Sequence, residues 1–493
     1  MSEKRLQEIR NIRLEKVKKL RGLGINPYPS KVGKRPSGSE TLKGRRQEIK
    51  DARIKLGKKV GVAGRLWGWR AHGNSIFADL KDTSGKIQLF FQKKNLGKSF
   101  GILDLFDIGD FVWVEGKVFK TKAGEVTIDV TDFQLLTKSI RPLPSTWHGL
   151  KDIEERYRKR YLDLLLNEDV RRRFDIRTKL ITELRSYLDN LGYSEVETPT
   201  LQTLYGGANA KPFVTHHKAL NRDFYLRIAD ELYLKRLMVG GYEKVYEICK
   251  DFRNEGIDQT HHPEFTMVEF YEAYADYHKV MDVTEGLFKH LAKKVLGGTK
   301  IEVGNKKVDI GIAWPRVEMV KVIADKLGLN VEKESQEDLS KYLKKHKIEL
   351  LGQETKGQLI YLIFEHIVSE KLIEPIWVID YPKDVSPLSK AHPDKVGWVE
   401  RFEGYVGGRE ICDGWSELTD PIEQKERFES DVAAARRDKD EAQQVDNDFI
   451  EAMEYGSPPL GGIGIGIDRL TMFFTNTWSI KEVILFPTLR PEK

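Results

Sequence analysis

The chain has 493 residues, 40% of them hydrophobic and 32% charged, with a formal net charge of +6 and two cysteines. That length exceeds one ordinary core and implies two or three domains, and no apolar run approaches the roughly 20 residues that a membrane-spanning helix needs. Cys249 and Cys412 cannot supply a disulfide framework or a cysteine-based zinc site, and the amino terminus MSEKRLQEIRNIRLEKVKKL has no apolar signal core, so a reducing cytoplasm is the expected compartment.

The net charge conceals an asymmetry. Residues 1–60 hold 19 Lys+Arg against 6 Asp+Glu, a balance of +13, which leaves 63 against 70, or −7, for the remainder. Leu6, Ile9, Val17 and Leu20 recur at helical spacing among these cations, so residues 1–55 read as a basic helical extension. Its charged face is either a solvated surface or a contact for a polyanion.

From about residue 56 to 140 the pattern changes to short β-type runs, VGVAGRLWGWR, SIFADLKD, KIQLFFQ, DFVWVEGKVFKT and EVTIDVTDFQLL. In EVTIDVT, Val126, Ile128 and Val130 alternate with Thr127, Asp129 and Thr131, which predicts one buried and one wet face. Five such strands predict a small closed barrel, with the oligonucleotide-binding (OB) fold as the natural candidate. Trp67, Trp69, Phe77 and Phe90 interleave with Arg65, Arg70 and Gln88, the residue types that base stacking and base-edge hydrogen bonding require. For any one of these aromatics, core packing is the competing role.

Pro142 and Pro144 mark the next boundary, and residues 150–493 read as an α+β domain with an inserted helical segment at about 279–372. Three stretches in it carry chemistry. GYSEVETPTLQ, Gly192 to Gln202, reads as a helix leading into a strand that ends at Pro199. KDFRNEGIDQTHHPEF, Lys250 to Phe265, crowds an arginine, carboxylates, two histidines and an aromatic together. In GGIGIGIDRLTMFFTN, Gly462, Gly464 and Gly466 alternate with isoleucines before Asp468 and Arg469, a spacing that matches neither a phosphate loop nor GxGxxG. His216-His217 and His261-His262 lack a cysteine or a third ligand at zinc spacing, so a zinc site is not expected.

In this order the three stretches resemble motifs 1, 2 and 3 of the class II aminoacyl-tRNA synthetases. GGANAKPF, RIADELYLKRL, SPLSKAH and GGREICDGWSEL narrow the resemblance to the bacterial-type lysyl-tRNA synthetases. It covers nearly the whole chain, and it implies an antiparallel catalytic sheet with flanking helices behind the barrel. The implied reaction activates L-lysine with ATP, using Mg2+, and then charges tRNA(Lys); a homodimer joined through the motif 1 segment is also implied.

Carried over residue by residue, the resemblance implies that Arg253 bridges the lysine carboxylate and the α-phosphate. Glu255 accepts from the adenine amino group, Phe265 and Arg469 enclose the adenine, and His261 touches phosphate. Glu403 and Glu410 are the magnesium positions. Gly207 and Glu231 hold the α-amino end of lysine; Glu269, Tyr271 and Glu417 hold its side-chain end, with Trp415 along the methylenes. Arg70, Phe77 and Gln88 are the anticodon contacts, for a uridine-rich anticodon. The chain departs from the family pattern at Asp413, usually asparagine and close to the substrate carboxylate, where Arg253 is the expected compensating charge. It departs also at Asp230, often proline, and at Trp415, often phenylalanine. Two rivals fit the same motifs: a lysyl-transferase paralogue that modifies a translation factor, whose relatives look like the catalytic domain alone, and a non-catalytic RNA-binding protein that keeps the fold.

Overall fold

The structure is a computed structural model that describes residues 3–32, 48–144, 150, 152–208, 210–434 and 445–491. It divides into two compact units, Met1–Gly149 and Leu150–Lys493.

The first unit begins with helix Glu3–Gly22, whose acidic first turn and basic last turn complement its macrodipole. Val17 and Leu20 are buried, whereas Leu6 and Ile9 are only half-buried. Arg13 is buried as well, and its guanidinium donates to the carbonyls of Ile108, Ser139 and Arg141, so one cation of the basic helix acts as a clamp. The expected barrel follows as β1 (Lys59–His72), β2 (Ser75–Lys81), β3 (Lys86–Gln92), β4 (Phe111–Lys120) and β5 (Val126–Thr137). These close in the order β1-β2-β3-β5-β4 around Val62, Leu66, Leu80, Leu89, Val114 and Ile128. Closure pairs both edges of the sheet, which removes free strand edges. Thr127, expected on the wet face, is fully buried, because the parallel β3–β5 pairing sets it opposite Gln88, whose side-chain oxygen accepts from its hydroxyl at 2.9 Å.

The second unit is built on one sheet. Its strands are β6 (Ser194–Glu195), β10 (Lys244–Phe252), β11 (Glu264–Ala273), β14 (Arg316–Glu318), β15 (Ile376–Pro382), β16 (Trp398–Val406), β17 (Arg409–Ser416) and β18 (Leu460–Gly466). They run in the order β14-β15-β16-β17-β18-β11-β10-β6, antiparallel from β15 to β10 with a parallel strand at each edge. Beside it lie a three-stranded sheet of β7 (Leu201–Gln202), β8 (Val214–His217) and β9 (Arg222–Leu226), and a hairpin of β12 (Lys300–Val303) and β13 (Lys306–Asp309). The expected strand in GYSEVETPTLQ shrinks to Ser194–Glu195, and Pro199 lies outside any strand.

Helices Glu168–Asn190 and Tyr277–Leu291 cover one face of the sheet, packing Leu180, Leu184, Leu188 and Leu287 with Phe270, Ile463 and Ile465. Alternation along β11 sends Val268 and Phe270 into that core and therefore sends Glu269 and Tyr271 to the opposite face. The stretch 279–372 is not helical throughout. It opens inside the core helix Tyr277–Leu291 and contains the β12–β13 hairpin, turned by Gly304-Asn305, and the edge strand β14. Only beyond Met319 do helices take over, packing Ile323, Leu339 and Leu359 against Val378 and Val399 of β15 and β16.

Candidate active site

On the sheet face away from the core helices lies a cavity of 400 Å³. Register decides what lines it. Glu269 and Tyr271 of β11 stand opposite Gly464 and Gly462 of β18. A Cβ on Gly462 would lie 2.3 Å from the Tyr271 ring and 2.5 Å from the Glu417 carboxylate, so the alternating glycines make room for larger groups on both neighbouring strands. The cavity brings together Gly207, Glu231, Arg253, Glu255, His261, Phe265, Glu269, Tyr271, Glu410, Asp413, Trp415 and Arg469 from distant parts of the sequence, while Glu403 and Glu417 are not part of its lining.

One end of this cavity is acidic. Glu417 is buried, and its Oε2 accepts from the Trp415 indole at 2.7 Å and from Lys235, but its Oε1 has no partner. Lys235 also donates to Glu231 at 2.5 Å. Sequence reading passed over this lysine, although its position one helical turn after Glu231 was the available signal. The Tyr271 hydroxyl donates to Glu269 at 2.8 Å. Burial, with Glu231 adding its charge, pushes Glu417 up to about 8 even beside Lys235. Burial likewise raises Glu231, and burial with the neighbouring Asp230 raises Glu269 well above the usual carboxylate range. This end of the site gathers three carboxyl groups, Glu231, Glu269 and Glu417, around one lysine, Lys235.

The other end is cationic and aromatic. The Arg253 guanidinium lies over the Phe265 ring at 5.1 Å and makes only long contacts, 3.4 and 3.5 Å, to the Ile228 carbonyl. Arg469 pairs with Glu410 at 3.0 Å. Helix Ile467–Phe474, which carries Arg469, is anchored through Asp468, which accepts from Arg177 at 2.6 Å and from the Thr266 amide at 2.7 Å. Glu255 and His261 sit at the exposed rim, with His261 Nδ1 on Asp258 at 2.8 Å. His262 is structural: its Nδ1 meets the Glu264 carbonyl and its Nε2 accepts from the Thr488 amide at 2.8 Å.

Asp413 is compensated by Arg401 and not by Arg253. Arg401 on β16 makes two parallel bonds to it, at 2.9 and 2.8 Å, and a third to Glu403 at 2.7 Å. The reason is register, because Arg401 pairs with Trp415 and Glu403 with Asp413, which puts all three charges on one face of adjacent strands. Burial pushes Asp413 up to about 6 and Glu403 up to about 8 against the pull of Arg401.

Residues 152–490 match the family model of the class II tRNA synthetases (D, K and N), and residues 60–136 match that of the OB-fold nucleic acid binding domain. The lysine–tRNA ligase of Thermoanaerobacter pseudethanolicus is 47% identical, over 99% of this chain and 97% of its own length. Those of Clostridium tetani and Halalkalibacterium halodurans are 48% and 46% identical, over 99% and 98% of this chain and 97% of each relative. The chain belongs to the class II tRNA synthetases.

On the OB-fold unit, three of the expected contacts lie on the outer face of the barrel. Arg70 pairs across the strands with Phe77, and Phe77 with Phe90, whose ring stacks on it with centroids 4.4 Å apart. Arg70 is exposed but held by Asp79 at 3.0 and 3.2 Å, and Gln88 holds Thr127. Trp69 instead packs against Phe91 and Phe106, on the core side. As for a magnesium ion, Glu410 fits, with a carboxylate that is 37% exposed at the cavity and one oxygen engaged by Arg469. Glu403, outside the lining, is bound by Arg401 and Tyr405. No group of three metal-ligating side chains involves a histidine among the described residues.

Proposed function

We propose that the chain is a lysine–tRNA ligase that joins the carboxylate of L-lysine to the α-phosphate of ATP, expels pyrophosphate, and then passes the lysyl group to the 3′ end of tRNA(Lys). The observation that carries this reading is the unpartnered, buried Oε1 of Glu417 beside Lys235. A buried acceptor in an acidic pocket calls for an ammonium, and among amino acids with a free carboxylate lysine brings one at the end of its side chain. Glu417, Glu269 and Tyr271 receive that end, Trp415 packs on the methylenes, and Glu231 with Gly207 receives the α-ammonium.

Catalysis rests on bringing two anions together and neutralising the charge that forms between them, with no covalent nucleophile. Arg253, held by hydrogen bonds only through the long contacts to the Ile228 carbonyl, bridges the lysine carboxylate and the α-phosphate as a rigid fork. Phe265 and Arg469 enclose the adenine, Glu255 accepts from its amino group and His261 supports the phosphates. Magnesium bound with ATP would screen the phosphate charge there; Glu410 would hold it, and Glu403, through Arg401, would keep that wall of the site in place.

The exposed Arg70 and the outer-face Phe77, with Gln88, are the candidate readers of the anticodon. Exposed Leu201 and Val214 on the small three-stranded sheet support a homodimer. No helix among the described residues is long and apolar enough to cross a membrane, which agrees with a cytoplasmic enzyme. The test is lysine-dependent ATP–pyrophosphate exchange. Folded protein without exchange overturns the reading, and exchange without tRNA charging favours the paralogue that modifies a translation factor.

A further inference from the structure

Asp230 is the acidic residue next to this site that the reading above leaves without work. It precedes helix Glu231–Val239 at a cap position, where an aspartate ordinarily accepts from the helix backbone, yet its side chain makes no such bond. It turns inward. The residue is fully buried, and neither carboxylate oxygen has a hydrogen-bond donor. Glu269 comes near enough to share a proton with it but brings a donor only when itself protonated.

What Asp230 points at is a cluster. One oxygen each from Asp230, Asp251 and Glu269 lie within 4.8 Å of one another, and Asp230 forms a second such group with Glu247 and Cys249, all of them buried. Two guanidiniums face this cluster: Arg227 bonds Glu247 at 2.7 Å and approaches Asp251 at 3.5 Å, and Arg253 acts on Asp251 from the cavity side. Lys235, on the same helix, is already committed to Glu231 and Glu417. Four carboxylates, Asp230, Glu247, Asp251 and Glu269, against two guanidiniums leave two negative charges unmatched in the interior, a state that protein interiors do not sustain.

We propose that Asp230, Asp251 and Glu269 hold one oxygen-preferring divalent cation behind the lysine pocket. One such ion matches the charge deficit. Three carboxylate oxygens are hard donors, which suit an oxygen-preferring ion of the magnesium, manganese or calcium type. Glu269 belongs to both the cluster and the cavity wall, so the ion enters through the lysine pocket and keeps Glu269 ionised and fixed. Burial and the Asp251 charge push Asp230 up to about 8, so the alternative to a cation is protons shared within the cluster.

Full-length protein stripped by dialysis against a chelator and titrated with Mn2+ in the absence of ATP, with free Mn2+ followed by its EPR signal, distinguishes the two. The expected result is one equivalent bound per chain, displaced by Ca2+, retained in Glu410→Gln and weakened at least tenfold in Asp230→Asn. Asp251→Asn serves if Asp230→Asn does not fold. Absence of ATP-independent binding at millimolar Mn2+ overturns the proposal in favour of shared protons, and binding retained in both cluster variants overturns it equally.

Discussion

Glu417→Gln separates charge from shape at the acidic end of the cavity. The amide keeps an acceptor near the unpartnered oxygen and a neutral contact to Trp415, so the loss is the carboxylate charge. Removing one partner of a desolvated ion pair costs about 3 kcal/mol, or roughly 100-fold in affinity at about 1.4 kcal/mol per decade. Because burial holds Glu417 up near 8, it is mostly protonated at neutral pH when no lysine is bound, and binding an ammonium must expel that proton. Lysine affinity of the wild type should therefore rise about tenfold per pH unit between pH 6 and pH 8. In Glu417→Gln that slope should flatten as the affinity drops. The sign for stability is the reverse of the usual carboxylate case. A folded-state value above the unfolded one gives stability that is present below the unfolded value and lost as pH rises towards 8, so the variant should melt near the wild type at pH 4 and progressively above it as pH rises to 8.5. Isothermal titration calorimetry in two buffers of different ionisation enthalpy reads affinity and proton release together. Glu417→Gln binding lysine within threefold of the wild type, or keeping the pH slope, would refute the reasoning.

Asp413→Asn removes one of two parallel bonds to Arg401 and leaves that half-buried arginine partly unpaired. Lysine affinity should fall by about threefold or stay level; a tenfold gain in a lysine titration would mean that Arg401 does not neutralise Asp413. Gly462→Ala forces a methyl against Tyr271 and Glu417. A loss of about 1–3 kcal/mol in denaturant melts, with a raised KM for lysine and a smaller effect on KM for ATP, is expected. Phe77→Ala on the barrel should lower tRNA charging about tenfold, one base-stacking contact of roughly 1–3 kcal/mol, and leave lysine-dependent pyrophosphate exchange within twofold. Equal loss of both activities would mean that Phe77 serves the barrel core.

What could be read from the sequence was what lies close together along it. Arg253, Phe265 and Arg469 sit in short stretches that the family resemblance marked, and the fold brings all three to one cavity, while five β-type runs with the right breaks declare a barrel. What escaped depends on register. Arg401 answers Asp413 only because β16 and β17 pair with Arg401 beside Trp415, an offset that linear text does not display. Thr127 reads as wet by alternation until the parallel pairing with β3 covers it. The hairpin at Gly304-Asn305 was lost among charged residues that share its composition with the helices beyond it.

Lys235 gives the pocket a tethered competitor. Its ammonium lies on Glu231 and Glu417, the carboxylates that the proposed reading gives to an incoming amino acid, and its covalent attachment fixes its effective concentration. A visiting amine gains only the margin by which its contacts exceed those of the resident one. Shorter diamines, which reach one carboxylate but not the methylene shelf or the carboxylate-binding arginine, gain little over what they displace, so discrimination is set against a reference carried within the chain itself.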